Sequence, residues 1–157
     1  MPPHPKPIAI FDLTPRQIGL IDKLAAAANG TSMDDLDHRE IVAWQELSRL
    51  RLADMKVDRR KIRIVITELG AQVRANGYRS TKPVLHLTAP QVAALRFLAG
   101  GWRHYNDIPG HMLDVCRRMM LRGWAEYEED SQGLYTARIT AAGWRILKEV
   151  ASLPASP

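Results

Sequence analysis

Apolar positions along this chain fall into two matched combs. After Leu13-Thr14, residues Ile18, Ile21, Leu24, Ala25 and Ala28 return at helical spacing, and Asn29-Gly30 stops the pattern. After Leu87-Thr88, residues Val92, Leu95 and Leu98 repeat that face, and Gly100-Gly101 ends it. Thr14-Pro15 reads as a helix start: a hydroxyl N-cap, then a proline whose missing N–H costs nothing at the first helical position. A second helical stripe, Ile41, Trp44 and Leu47, returns 72 residues later as Leu113, Cys116 and Met119. Polar, turn-rich stretches at 31–37 and 102–110 precede these helices, each with room for one short helix. Each second helix then runs into a hairpin. Its return strand alternates as a half-buried strand does, through Ile62, Ile64 and Ile66 in one repeat and Tyr135, Ala137 and Ile139 in the other. Thr67 and Thr140 cap a last helix, and Gly70 and Gly143, three residues on, let it lie close to the hairpin.

The correspondence is a repeat. Thr88 stands 74 residues after Thr14, and Ile139-Thr140-Ala141-Ala142-Gly143 stands 73 after Ile66-Thr67-Glu68-Leu69-Gly70. One module of about 70 residues is used twice, with a one-residue loop difference. Its order of helix, short helix, helix, hairpin and helix is that of a winged helix-turn-helix. The expected fold is mainly α with small β-hairpin wings, in two tandem modules. The expected divisions are a Pro-rich extension at 1–12, a first repeat at 13–80, a second at 81–152 and a disordered tail at 153–157.

The second repeat carries a more specific likeness. Leu121-Arg122-Gly123-Trp124-Ala125-Glu126 resembles the helix-to-wing junction of MarR-type transcriptional regulators, and Ile139-Thr140-Ala141-Ala142-Gly143-Trp144-Arg145-Ile146-Leu147 resembles their segment after the wing. The resemblance covers roughly residues 88–150, with a counterpart at 14–75, and implies a DNA-binding module. Such regulators pair one winged domain with long dimerisation helices. This chain spends that length on a second winged domain, so their dimer geometry and ligand pockets do not carry over.

Composition narrows the chemistry. At 157 residues and 46% hydrophobic, the chain has room for one ordinary domain or two small ones. One cysteine, Cys116, excludes an internal disulfide framework and suits a reducing cytosol. No apolar run approaches the roughly 20 residues that span a bilayer, and the expected location is cytoplasmic. The net charge of +5 permits a nucleic-acid partner. His38, His86, His104 and His111 show no metal-ligand spacing with Cys116 or one another. No Gly-rich phosphate loop or nucleophile elbow is present, so neither enzyme activity nor a cofactor is expected.

Duplex DNA is the expected partner. In this fold the second long helix enters the major groove and the wing meets the backbone. An exposed face with Arg and Gln suits purine edges, and a basic wing suits phosphates. The first repeat offers both: Arg39, Gln45 and Arg49 on the helix, then Lys56, Arg59, Arg60, Lys61 and Arg63 on the hairpin, with Asp58 as one opposing anion in 56–63. The second repeat offers Arg117, Arg118 and Arg122, but its wing carries Glu126, Glu128, Glu129 and Asp130, four carboxylates that repel phosphate. Glu128, Glu129 and Asp130 are therefore expected to face a protein partner or another subunit. Trp102 and Tyr105, beside Arg103 and His104, are the expected exposed aromatics. A transcriptional regulator is the leading reading. A protein-interaction scaffold and a replication or plasmid-maintenance protein remain alternatives, because tandem winged helices serve all three uses.

Overall fold

The computed structural model describes residues 7–152; the expected tail at 153–157 and the Pro-rich start through residue 6 lie outside the described residues. Among the described residues, six helices and eight strands make a mixed α/β fold. Strand content exceeds what two hairpins alone imply, because each hairpin gains a third strand and a separate short pair forms. The chain divides into two compact units. One holds residues 10–85; the other holds residues from 86 onward together with those before 10. In the separate pair, β1 (Ile8–Ile10) lies beside β5 (Leu85–Leu87).

The N-terminal unit begins with α1 (Pro15–Ala26). Thr14 and Gln17 cap it reciprocally: Gln17 N–H donates to Thr14 Oγ1 at 3.2 Å, and Thr14 N–H donates to Gln17 Oε1 at 3.0 Å. That pairing lets both polar side chains sit buried beside Leu20, Ile21 and Leu24. Ala25 and Ala28, expected on the buried face, are exposed. Ala25 is rotated off the stripe, and Ala28 lies past the helix end. Next come β2 (Thr31–Ser32), a 3-10 turn at Met33–Asp35, and α2 (His38–Arg49), capped by Asp37 and Glu40. The buried face of α2 is Ala43 and Leu47; Ile41 and Trp44, expected at its centre, flank it half-buried.

From α2 the chain turns through Leu50 to Leu52 into β3 (Ala53–Asp58) and β4 (Lys61–Ile66), and β2 pairs with the far side of β4. Ile64 is fully buried, but Ile62, expected half-buried, is exposed because the hairpin overshoots the core. In α3 (Glu68–Ala75), Gly70 packs so closely on the Leu52 carbonyl that a Cβ would collide with its oxygen. The unit's two ends run side by side: Leu13 N–H donates to the Tyr78 carbonyl at 2.9 Å, Ser80 N–H to Phe11 at 2.9 Å, and Val84 N–H to Ile10 at 2.7 Å.

The C-terminal unit has α4 (Ala89–Leu98), β6 (Arg103–His104), a 3-10 turn at Tyr105–Asp107, α5 (Gly110–Arg122), β7 (Ala125–Glu129), β8 (Tyr135–Ile139) and α6 (Ala141–Ser152). Its sheet order, β6-β8-β7, matches the β2-β4-β3 order of the other unit. Leu95, Leu98, Cys116, Met119, Trp124 and Ala137 form its core, and burial pushes the Cys116 thiol pKa up. Tyr135, expected half-buried, is exposed like Ile62. Gly143 meets the Trp124 carbonyl as Gly70 meets Leu52, and Thr140 Oγ1 donates to the Gly123 carbonyl at 2.8 Å as Thr67 Oγ1 does to Arg51 at 2.7 Å.

Candidate nucleic-acid interface

In the N-terminal unit the charged surface is assembled on α2 and the β3–β4 hairpin. Gln45 and Arg49, one turn apart on α2, are both exposed, while Arg39 on its first turn is half-buried. Every residue from Asp54 to Ile62 is exposed. Strand alternation sorts the hairpin into two faces. Lys56 stands directly across from Arg63, and Asp58 across from Lys61, on one face. Met55 across from Ile64, and Val57 across from Ile62, make the other. No side chain among Lys56, Arg59, Arg60, Lys61 and Arg63 takes part in an ion pair or hydrogen bond among the described residues.

Two local choices at this hairpin run against stability. Like charges directly opposite across strands, as Lys56 and Arg63 are, repel. The two-residue turn places Arg59 at φ 46° and Arg60 at φ 72°. Both lie in the left-handed region, where Asn-Gly is the favoured pair in such turns. A residue with a Cβ costs roughly 1–2 kcal/mol there. The C-terminal hairpin turns with favourable chemistry instead. Gly133 takes the positive φ of 78°, and the Asp130 carboxylate accepts the N–H groups of Gln132 and Leu134, each at 2.9 Å. Beside the charged face of the N-terminal hairpin lies a shallow groove of about 360 Å³ lined by Ala28, Asn29, Lys56, Asp58, Arg63 and Val65.

The C-terminal unit uses its arginines differently. Arg117 Nε donates to the Tyr105 hydroxyl at 2.7 Å, and its guanidinium lies over that ring. Arg122 stacks on the buried Trp124 at the helix-to-hairpin junction. Arg118 is exposed on α5. Of the expected acidic cluster, Glu128 and Glu129 are exposed and unpaired among the described residues, Glu126 is paired with Arg138, and Asp130 organises the turn. Trp102 is exposed with Arg138 over its ring at 4.4 Å.

Three features leave no signal in the sequence. The short strands β2 and β6 are too brief to show alternation. The left-handed Arg59-Arg60 turn carries none of the expected Gly or Asn. Tyr105, Tyr127 and Tyr135 converge from three separate segments beside Arg117 and Met120. Among the described residues, no group of His, Cys, Asp and Glu is placed to hold a metal ion, and no helix is long and apolar enough to cross a membrane. No protein-family model matches this chain, and no curated protein matches it.

Proposed function

We propose that this chain is a non-enzymatic, cytoplasmic DNA-binding protein, a transcriptional regulator built from two tandem winged helix-turn-helix modules, with the N-terminal unit as the main DNA reader. In this reading α2 enters the major groove, with Gln45 and Arg49 at base edges and Arg39 nearby, while Lys56, Arg59, Arg60, Lys61 and Arg63 meet the backbone. The observation that carries it is the Arg59-Arg60 turn. Two arginines hold a strained conformation at an exposed tip, where no partner within the described residues uses their charge. Strain of this kind collects where function needs a particular side chain, and phosphate is the partner that fits unpaired guanidinium groups at such a tip. The groove beside Lys56 and Arg63 is suited to a phosphodiester. In the C-terminal unit, Arg118 is the arginine left for DNA, since Arg117 and Arg122 are occupied by Tyr105 and Trp124.

Duplex binding over a salt series tests this reading. Three to five phosphate contacts give a log–log slope of roughly −3 to −5. No duplex binding at low salt overturns it. The protein-scaffold reading would then stand, favoured by the acidic and aromatic surface of the C-terminal hairpin.

A further inference from the structure

The two units differ at three matched positions, one half-buried and two exposed. The first residue of the 3-10 turn, the third of the outgoing strand and the first of the return core-facing series are Met33, Met55 and Ile62 in the N-terminal unit. In the C-terminal unit all three are tyrosines: Tyr105, Tyr127 and Tyr135. Tyr127 and Tyr135 meet edge to face, with centroids 5.7 Å apart. Between them and α5 lies a cleft of about 370 Å³, floored by Met120 and walled by Tyr105 and Arg117. A second cleft of about 360 Å³ adjoins it, sharing Tyr105 and Tyr135 and reaching Leu134. Tyrosines that stay half in solvent suit the centre of a protein-docking surface, and the unpaired carboxylates beside them suit its polar rim. Both hairpins also leave a strand edge open, since β3 and β7 are the outer strands of their sheets.

We infer that the C-terminal hairpin docks the N-terminal hairpin of another molecule of this chain, edge to edge and antiparallel, through β7 and β3. The two hairpins are opposite in charge, and each exposes apolar side chains. The N-terminal hairpin offers exposed Met55, Val57 and Ile62 on one face and unpaired cations on the other. The C-terminal hairpin offers Tyr127, Tyr135 and Leu134, with Glu128 and Glu129 unpaired. The register with Val57 across from Tyr127 joins the apolar faces, and by alternation it sets Lys56 across from Glu128. It also sets Asp58 across from Glu126, whose charge Arg138 already neutralises at 2.6 Å. A heterologous contact of this kind closes into a ring or propagates along a chain of copies, so mass grows with concentration in either case. It uses the surface assigned above to DNA, so duplex and self-association compete.

The test uses the full chain without nucleic acid, by sedimentation velocity over a concentration series at low salt. Mass that rises with concentration and falls back with added salt is expected. Glu128→Lys and Lys56→Glu should each weaken association at least about tenfold, with unchanged circular dichroism and with no loss of melting temperature for Lys56→Glu, which removes the repulsion with Arg63. The double variant carrying both should regain association to within about threefold of the parent. Tyr127→Ala is an independent variant and should also weaken it. A monomeric mass at every concentration, single charge changes without effect, or a double variant that fails to recover would each overturn the inference. All these readings are taken without DNA, so a chain that associates but binds no duplex overturns the DNA proposal alone.

Discussion

The carboxylate of Asp22 accepts the hydroxyl of Tyr78, 56 residues further along the chain, at 2.8 Å. The same oxygen accepts Arg74 Nε at 2.8 Å, so one acid on α1 ties down both α3 and the segment that follows it. Tyr78 needs the anchor, because it holds φ at 65°. The Arg74 hydrogen bond is the main force lowering the Asp22 pKa, with Tyr78 adding to it, while Asp22 raises the Tyr78 pKa. The two shifts bound a pH window. A depressed acid stabilises the fold above its unfolded value, about 4, and loses that contribution as pH falls through the folded pKa. A raised phenol stabilises below its unfolded value, about 10, and loses the contribution as pH rises through the folded pKa. Asp22→Asn should therefore cost about 0.5–1 kcal/mol near neutrality, a value reduced by the solvent exposure of the site. Denaturant titrations of both proteins should converge below about pH 4. A constant gap down to pH 2 would contradict the assignment.

Replacing Arg59 and Arg60 by Asn and Gly separates stability from function. The turn then carries its preferred residues, and about 1–2 kcal/mol of strain is relieved. Melting temperature should rise by a few degrees, while duplex affinity drops on all sequences and the salt slope shrinks by about 2 units. A stabilised variant with unchanged affinity would reduce the arginines to solvated side chains.

On α2, Gln45→Ala and Arg49→Ala should each cost about 1–3 kcal/mol on a preferred duplex and little on random sequence. Fluorescence anisotropy with both kinds of DNA reads the difference. Equal losses on the two would move these residues to the backbone.

Gly143→Ala drives a methyl into the Trp124 carbonyl, where backbone has no room to yield. A loss of about 2–4 kcal/mol is expected by chemical denaturation. Gly19→Ala is the control, since its Cβ meets nothing within 4 Å and a helix favours alanine. A loss at Gly143 no larger than at Gly19 would mean that α6 can move off the hairpin.

What the sequence discloses here is local. Thr14 with Gln17, and Thr67 with Gly70, are caps closed within three residues, and their spacing shows in the chain. Repetition of those caps across 73 or 74 residues exposes the shared order of elements. Ile62 and Tyr135 mislead because alternation reports which face a residue takes, not whether the core extends far enough to cover it. On the candidate surface, the exposed Gln45 and Arg49 and the cations of the hairpin follow from periodicity and composition. The engagement of Arg117 with Tyr105 and of Arg122 with Trp124 does not, because rotamer and packing decide it. Nor does the tyrosine cleft, whose members come from a turn and two strands with no common spacing.

The side-by-side ends of the N-terminal unit have a topological consequence. Ile10 and Val84 are bonded neighbours, so entry and exit lie about one strand spacing, or 4.8 Å, apart. Residues 10–85 thus form a cassette, a loop of chain clasped at its base. A host protein can receive it at a surface turn, and linking its ends leaves an exposed tip such as the β3–β4 turn free to become the new terminus. Cutting at residue 13 or residue 80 removes part of the clasp, whereas cutting outside 10 and 85 keeps it whole.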